Sequence, residues 1–325
     1  MAFRYGVIGT GALGGFYGGM LARAGREVHF LLRSDYDHVR RLGLRVDSVL
    51  GDFHLDRVRA YPETGLMPEC DILLVCLKTT SNPLLPELLR PLLGAGGVVL
   101  LLQNGLEVEE DLQDRLPAAA IAGGLAFVCC HKVGPGHVRH LDYGALTLGA
   151  HGRTDPEIVR LVAADFRAAG VQAECTPDLA AARWRKLVWN VPFNGLTVVM
   201  DTTTDRLVRH EASRRLVREI MLEVIHGAGR CGAPLPEALA DEMIEQTLRM
   251  TPYAPSMKLD YDHGRPMEIE TIYSRPVQAA ARSGLDLPRI SSLEWQLRFL
   301  QDFRGDRGLP GGESTPGIPE PRVET

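Results

Sequence analysis

Short apolar runs bounded by glycine and polar residues dominate the first half of the chain. Tyr5 to Gly9, Val28 to Leu32, Ile72 to Leu77, Val98 to Leu102 and Ile121 to Val128 are apolar without alternation. That pattern predicts strands buried on both faces. A helical stretch from Leu13 to Ala24 lies between the first two and closes at Gly25, a residue suited to the position past a helix end. Strands separated by helical or loop segments predict an α/β unit whose parallel sheet is covered on both sides. Gly134 to Gly149 differs. Its Gly-Pro-Gly turn and the alternation over His137 to Leu141 predict an antiparallel hairpin finishing the sheet.

From about Asp178 the period becomes helical. Leu216, Ile220, Val224 and Ala228 fall four apart, and Ile290, Leu293, Leu297 and Leu300 mark a last amphipathic helix. Pro236 suits the first position of a helix carrying Leu239, Met243, Thr247 and Met250. The fold class expected is therefore α/β: a doubly wound parallel sheet over residues 1–176, then an all-helical domain over 177–303. Residues 304–325 hold five glycines and four prolines, too little apolar matter to order, and are expected to form a disordered tail.

Composition narrows the class. At 325 residues and 45% apolar the chain can bury a sizeable core, and a net charge of −5 speaks against a nucleic-acid partner. No apolar run is long enough to span a bilayer, and the chain enters a strand pattern at once without an export signal. A cytoplasmic protein with no membrane partner is expected. The six cysteines contain no CxxC pair and read as reduced core thiols. His131, His137, His140 and His151 crowd the hairpin at spacings that fit no zinc set, so no metal is expected. Only four of the 36 basic residues are lysines: Lys78, Lys132, Lys186 and Lys258. Base composition accounts for the arginine excess but not for where lysine persists.

The candidate chemistry starts at Gly9-Thr10-Gly11-Ala12-Leu13-Gly14, which follows a strand and opens a helix. That context suits a dinucleotide: Gly9 permits the tight turn, Gly11 lets backbone approach a pyrophosphate, and Gly14 permits close helix–strand packing. The helix N-terminus adds free N–H donors for phosphate. An NAD site would place an acid at the end of the second strand. Here Arg33 stands there with Ser34 beside it, a pair suited to a 2′-phosphate, so NADP is the expected cofactor, although Asp35 follows closely. Lys78 and Gln103-Asn104-Gly105 end later strands, at the sheet edge where ligands of doubly wound folds bind. Farther on, Lys186, Asn190 and Asn194 fall on one helical stripe among tryptophans and Phe193, where buried polar groups must find partners or a ligand. Pro192 should kink that helix. Ser256-Met257-Lys258 precedes Arg265-Pro266-Met267-Glu268-Ile269, and Glu268 opens another helical stretch.

Taken in order, these motifs resemble the ketopantoate reductase family over residues 4–300. The resemblance implies an N-terminal Rossmann domain, a helical C-terminal domain and a substrate cleft between them. It further implies NADPH-dependent reduction of 2-dehydropantoate to pantoate, a step toward pantothenate and coenzyme A. By position, Lys186 would be the catalytic lysine and Glu268 its acidic partner. Asn190, Asn194 and Ser256 would bind substrate, with Lys78 and Asn104 beside the nicotinamide. A homodimer is compatible with this reading. The chain departs from the family pattern at Pro192, at Tyr253 and over Ile272-Tyr273-Ser274-Arg275-Pro276, all near the substrate pocket. Those departures leave two other readings open: a paralogue reducing another branched 2-oxo acid, and a non-catalytic NADPH-binding regulator.

Overall fold

A computed structural model describes residues 3–250 and 254–306. In chain order the α/β half runs β1 (Arg4–Ile8), α1 (Ala12–Arg23), β2 (Glu27–Leu31), α2 (Tyr36–Leu42), β3 (Leu44–Ser48), β4 (Phe53–Leu55) and β5 (Arg59–Tyr61). It continues with β6 (Cys70–Val75), α3 (Leu85–Leu89), β7 (Leu93–Leu101), α4 (Val108–Arg115), β8 (Ala120–Gly134), β9 (His137–His151), α5 (Pro156–Ala168) and β10 (Ala173–Cys175). The strands form one sheet in the order β4-β3-β9-β8-β7-β6-β1-β2-β5, with β10 also against β9. The sheet is parallel from β5 to β8, and β8 and β9 then join antiparallel. Two apolar clusters cover the two faces. One is built on Phe16, Tyr17 and Phe166 from α1 and α5, the other on Leu85, Leu89 and Leu112 from α3 and α4.

The expected hairpin is present but longer, and it does not finish the sheet. β3 pairs parallel to the outer side of β9, and β4 pairs with β3. Leu44, Val46 and Ser48 face inward on β3 while Arg45 and Asp47 face outward, an alternation that marks this strand as half-solvated.

The helical half comprises α6 (Leu179–Val199), α7 (Thr204–Arg209), α8 (Glu211–Arg230), α9 (Ala238–Arg249) and α10 (Ser256–Asp262). A π-helical turn over Glu270–Ser274 leads into α11 (Arg275–Arg282), and α12 (Pro288–Asp306) follows. Its core gathers Val188, Val191, Ile220, Val224, Leu293 and Leu297 around α6. Pro192 lies inside α6, which continues through it to Val199. Two expectations change here. Pro236 lies ahead of α9; only its carbonyl takes part, accepting from Leu239 N at 3.0 Å. Arg304, Gly305 and Asp306, assigned to the tail, continue α12, and the rest of the tail lies outside the described residues. Tyr253 also lies outside them.

Candidate active site

The glycine turn leaves β1 at Gly9, whose φ of +96° few side chains tolerate. A Cβ on Gly14 would sit 2.3 Å from the Gly9 carbonyl, so the turn packs against α1 only because that atom is missing. A Cβ on Gly11 would meet nothing within 4 Å. Here the glycine leaves open space in front of the backbone. Gly11 caps α1 with no side-chain hydrogen bond, and the first turn of α1, from Ala12 and Leu13 onward, carries no acid. The free N–H groups at that end therefore face the open space. Thr10 Oγ1 donates to the Leu31 carbonyl at 2.9 Å, tying the turn to the end of β2. Just beyond, Arg33 and Ser34 are exposed. These features fit a dinucleotide, with Gly11 against its phosphates and Arg33 at the ribose end.

Lys186 rises from α6 toward the sheet where β8 runs on past the end of β7. Its Nζ donates to Asn104 Oδ1 at 2.7 Å and to the Ala126 carbonyl at 2.8 Å. An ammonium has three donors, so among the described residues one remains uncommitted. Burial pushes the Lys186 pKa down to about 7. The Arg183 guanidinium one turn earlier adds to the fall, and the Glu268 carboxylate opposes it.

Glu268 does not hold Lys186 directly, as a paired catalytic acid would. Its Oε1 accepts from both the backbone N and Oγ1 of Thr79 at 2.9 Å, and Oε2 receives Asn104 Nδ2 at 3.4 Å. Asn104 therefore stands between the two, accepting from the ammonium and donating to the carboxylate. Thr79 opens the 3-10 turn that follows β6 after three intervening residues, and both its amide and its hydroxyl are committed to the acid. Thr271 closes the group, 3.1 Å from Thr79 Oγ1.

Lys78 turns to Asp260, an almost fully buried acid on α10 that Arg265 also grips at 2.9 Å. Burial lowers the Lys78 pKa, Glu268 raises it and Arg265 lowers it further. Asn190 and Asn194 are 6% and 2% exposed, and their carboxamides have no hydrogen-bond partner among the described residues. Ser256 opens α10 half-buried, and its hydroxyl likewise has no hydrogen-bond partner among the described residues. Asn190 and Asn194 follow Lys186 one and two turns along α6, and the carboxamides of both remain available among the described residues.

The sequence reading missed the parts that hold this group in place. Arg183 and Glu109 form a buried pair, and Arg183 Nη1 also donates to the Gln103 carbonyl at 2.6 Å. That fixes the loop carrying Asn104. Thr79 and Thr271 gave no signal in one sequence. Arg183 did: an arginine one turn before Lys186 on an otherwise apolar face demands an acid. Trp189 donates to Thr247 Oγ1 at 3.1 Å, and its ring lies 6.2 Å from Phe127 and 4.9 Å from Phe193. The hairpin histidines disperse instead of clustering: His137 meets Asp47 and His140 meets Ser48.

A parallel sheet with an open glycine turn, facing a lysine delivered by a helical second half, defines a Rossmann-type oxidoreductase. Residues 5–153 match the family model "Ketopantoate reductase PanE/ApbA", and residues 178–301 match "Ketopantoate reductase PanE/ApbA C terminal". The chain belongs to the ketopantoate reductase family and is an oxidoreductase acting on a CH–OH group. It is 48% identical over 302 residues to a 2-dehydropantoate 2-reductase of a Nostoc species, covering 91% of this chain and 95% of that one. Among solved structures, the 2-dehydropantoate 2-reductase of Geobacter metallireducens superposes with a TM-score of 0.88 at 43% identity, over 91% of this chain and 99% of that chain. That of Methylococcus capsulatus gives 0.85 at 33%, over 95% and 100%. Among the described residues no helix is long and apolar enough to cross a membrane.

Proposed function

We propose that the protein reduces 2-dehydropantoate to pantoate with NADPH, the step toward pantothenate and coenzyme A. The carrying observation is the Lys186 ammonium: two of its donors are bound, the third is free, and its pKa is near 7. When bound, the reduced nicotinamide supplies the hydride that adds to the 2-oxo carbon. Lys186 stabilises the charge growing on the carbonyl oxygen and then transfers its proton there, regaining one from water. An arginine would stabilise the charge but keep the proton. Asn104 fixes the direction of the ammonium, and Glu268, itself held by Thr79, fixes Asn104. Asn190, Asn194 and Ser256 offer neutral groups to the substrate's carboxylate and hydroxyls, and Lys78 borders the nicotinamide end. Gly9 to Gly14 and Arg33 hold the dinucleotide.

Phe127 and Tyr143 expose their rings beside Trp189, an aromatic wall that would also accept a bulkier 2-oxo acid. NADPH oxidation against a panel of 2-oxo acids separates these readings. Turnover highest with 2-dehydropantoate supports the proposal. Turnover of an aromatic or other branched acid alone favours the paralogue, and tight NADPH binding without turnover of any acid favours a regulator.

A further inference from the structure

Lys132 has no part in the chemistry above, yet its contacts lie at the ribose end of the cofactor site. It stands near the end of β8, and its Nζ pairs with Asp35 Oδ2 at 2.6 Å. Asp35 is the acid that follows Arg33 and Ser34 at the end of β2, the turn where NAD-binding folds place a carboxylate for the ribose 2′-hydroxyl. Here that carboxylate is 5% exposed, and both of its oxygens are engaged. Oδ2 also accepts from the Gly136 amide at 2.8 Å, and Oδ1 from Ser34 Oγ at 3.0 Å. Although Asp35 precedes α2, it makes no side-chain cap bond to that helix. Arg33, by contrast, is exposed and has no ion-pair partner among the described residues. The turn thus presents an unpaired guanidinium outward and a neutralised acid inward.

An unpaired carboxylate at this place would repel a 2′-phosphate and would accept a 2′-hydroxyl. We propose that Lys132 is a specificity-determining positioning residue: by drawing Asp35 inward and cancelling its charge, it makes the turn a site for a ribose 2′-phosphate. The partner is delivered from 97 residues away by the hairpin tip, which packs on α2 at Gly136; a Cβ there would lie 3.0 Å from Val39 Cγ2. Dinucleotide selectivity is then shared between β2 and β8. This inference rests on the NADPH reading of the preceding section.

The test is calorimetric binding of 2′,5′-ADP and of 5′-AMP, two fragments differing only by the phosphate in question. In Lys132→Met, affinity for 2′,5′-ADP should fall about tenfold, the scale of one screened charge contact, while 5′-AMP binds as before or more tightly. Lys132→Arg should keep most of the affinity. Asp35→Asn combined with Lys132→Met should recover it, because the repelling carboxylate has gone. Equal losses for both fragments, or no recovery in the double variant, would show a purely structural lysine and overturn the proposal. An unchanged 2′,5′-ADP affinity in Lys132→Met would do the same. Wild-type protein that binds 5′-AMP as well as 2′,5′-ADP would instead overturn the NADPH reading, and this inference with it.

Discussion

At the scale of single residues, the proposed chemistry rests on the Lys186 amine, whose pKa burial pushes down to about 7. Replacing Lys186 with alanine should lower turnover by at least about 10²-fold, the ordinary cost of a lost general acid. Lys186→Arg should not restore it, since the charge returns without a transferable proton. The direction of the pH dependence follows from the depressed pKa. Reduction needs the protonated amine, so kcat/KM should fall as pH rises through about 7, and oxidation of the hydroxy acid should rise across the same range. Stopped-flow absorbance of NADPH from pH 5.5 to 9 reads both limbs; a flat profile would mean that the proton comes from elsewhere. Asn104→Asp places a carboxylate directly on the ammonium, at the 2.7 Å contact that Asn104 now makes. Its pH limb should move upward, whereas Asn104→Ala should lower kcat more than it changes KM.

At the scale of elements, the glycine turn and the base of α6 were unequally visible in the sequence. The strand–Gly9–helix order is a backbone requirement written in one short segment, so local pattern sufficed to find it. The stripe of Lys186, Asn190 and Asn194 was equally local. The bridge by Asn104 was not, because 82 residues separate it from Lys186 and no spacing rule connects a strand end to a helix in another half. Pro192 removes a helical donor and leaves the Val188 carbonyl without it, yet α6 runs on through it to Val199. One turn on, Tyr273 packs on α6 at Gly195 and donates to the Val191 carbonyl at 2.9 Å, a contact that local reasoning does not contain. The Arg183–Glu109 pair is similar, each partner at most 3% exposed. Glu109→Leu leaves a buried guanidinium without its acid and should cost about 3–5 kcal/mol in urea unfolding. The glycine turn allows a cleaner contrast. Gly11→Ala should preserve the thermal midpoint and weaken NADPH, since the added methyl enters open space meant for ligand. Gly14→Ala should lower the midpoint itself, because its methyl meets the Gly9 carbonyl at 2.3 Å.

At the scale of the whole molecule, the proposed chemistry requires the sheet edge and the helical half to meet without a gap, since Asn104 comes from one and Lys186 and Glu268 from the other. Gly105 is one place where the two halves come very close. Its φ is +102°, and a Cβ there would lie 2.3 Å from Thr271 Cβ and 2.7 Å from the Thr271 carbonyl. The next residue, Leu106, donates from its backbone to that same carbonyl at 2.9 Å. Backbone cannot yield as a flexible side chain can, so Gly105→Ala must push the halves apart or twist the loop bearing Asn104. Either movement lengthens the Asn104–Lys186 and Asn104–Glu268 contacts together. Turnover should then drop about 10²-fold, the penalty expected for an ångström of misplacement, while each half keeps its own core. Near-ultraviolet circular dichroism and the NADPH affinity report those cores. Gly229→Ala on α8, where a Cβ meets nothing within 4 Å, serves as the control and should leave turnover unchanged. If Gly105→Ala retained wild-type turnover, the contact between the halves would be slack, and the positioning of Lys186 by Asn104 would lose its physical basis.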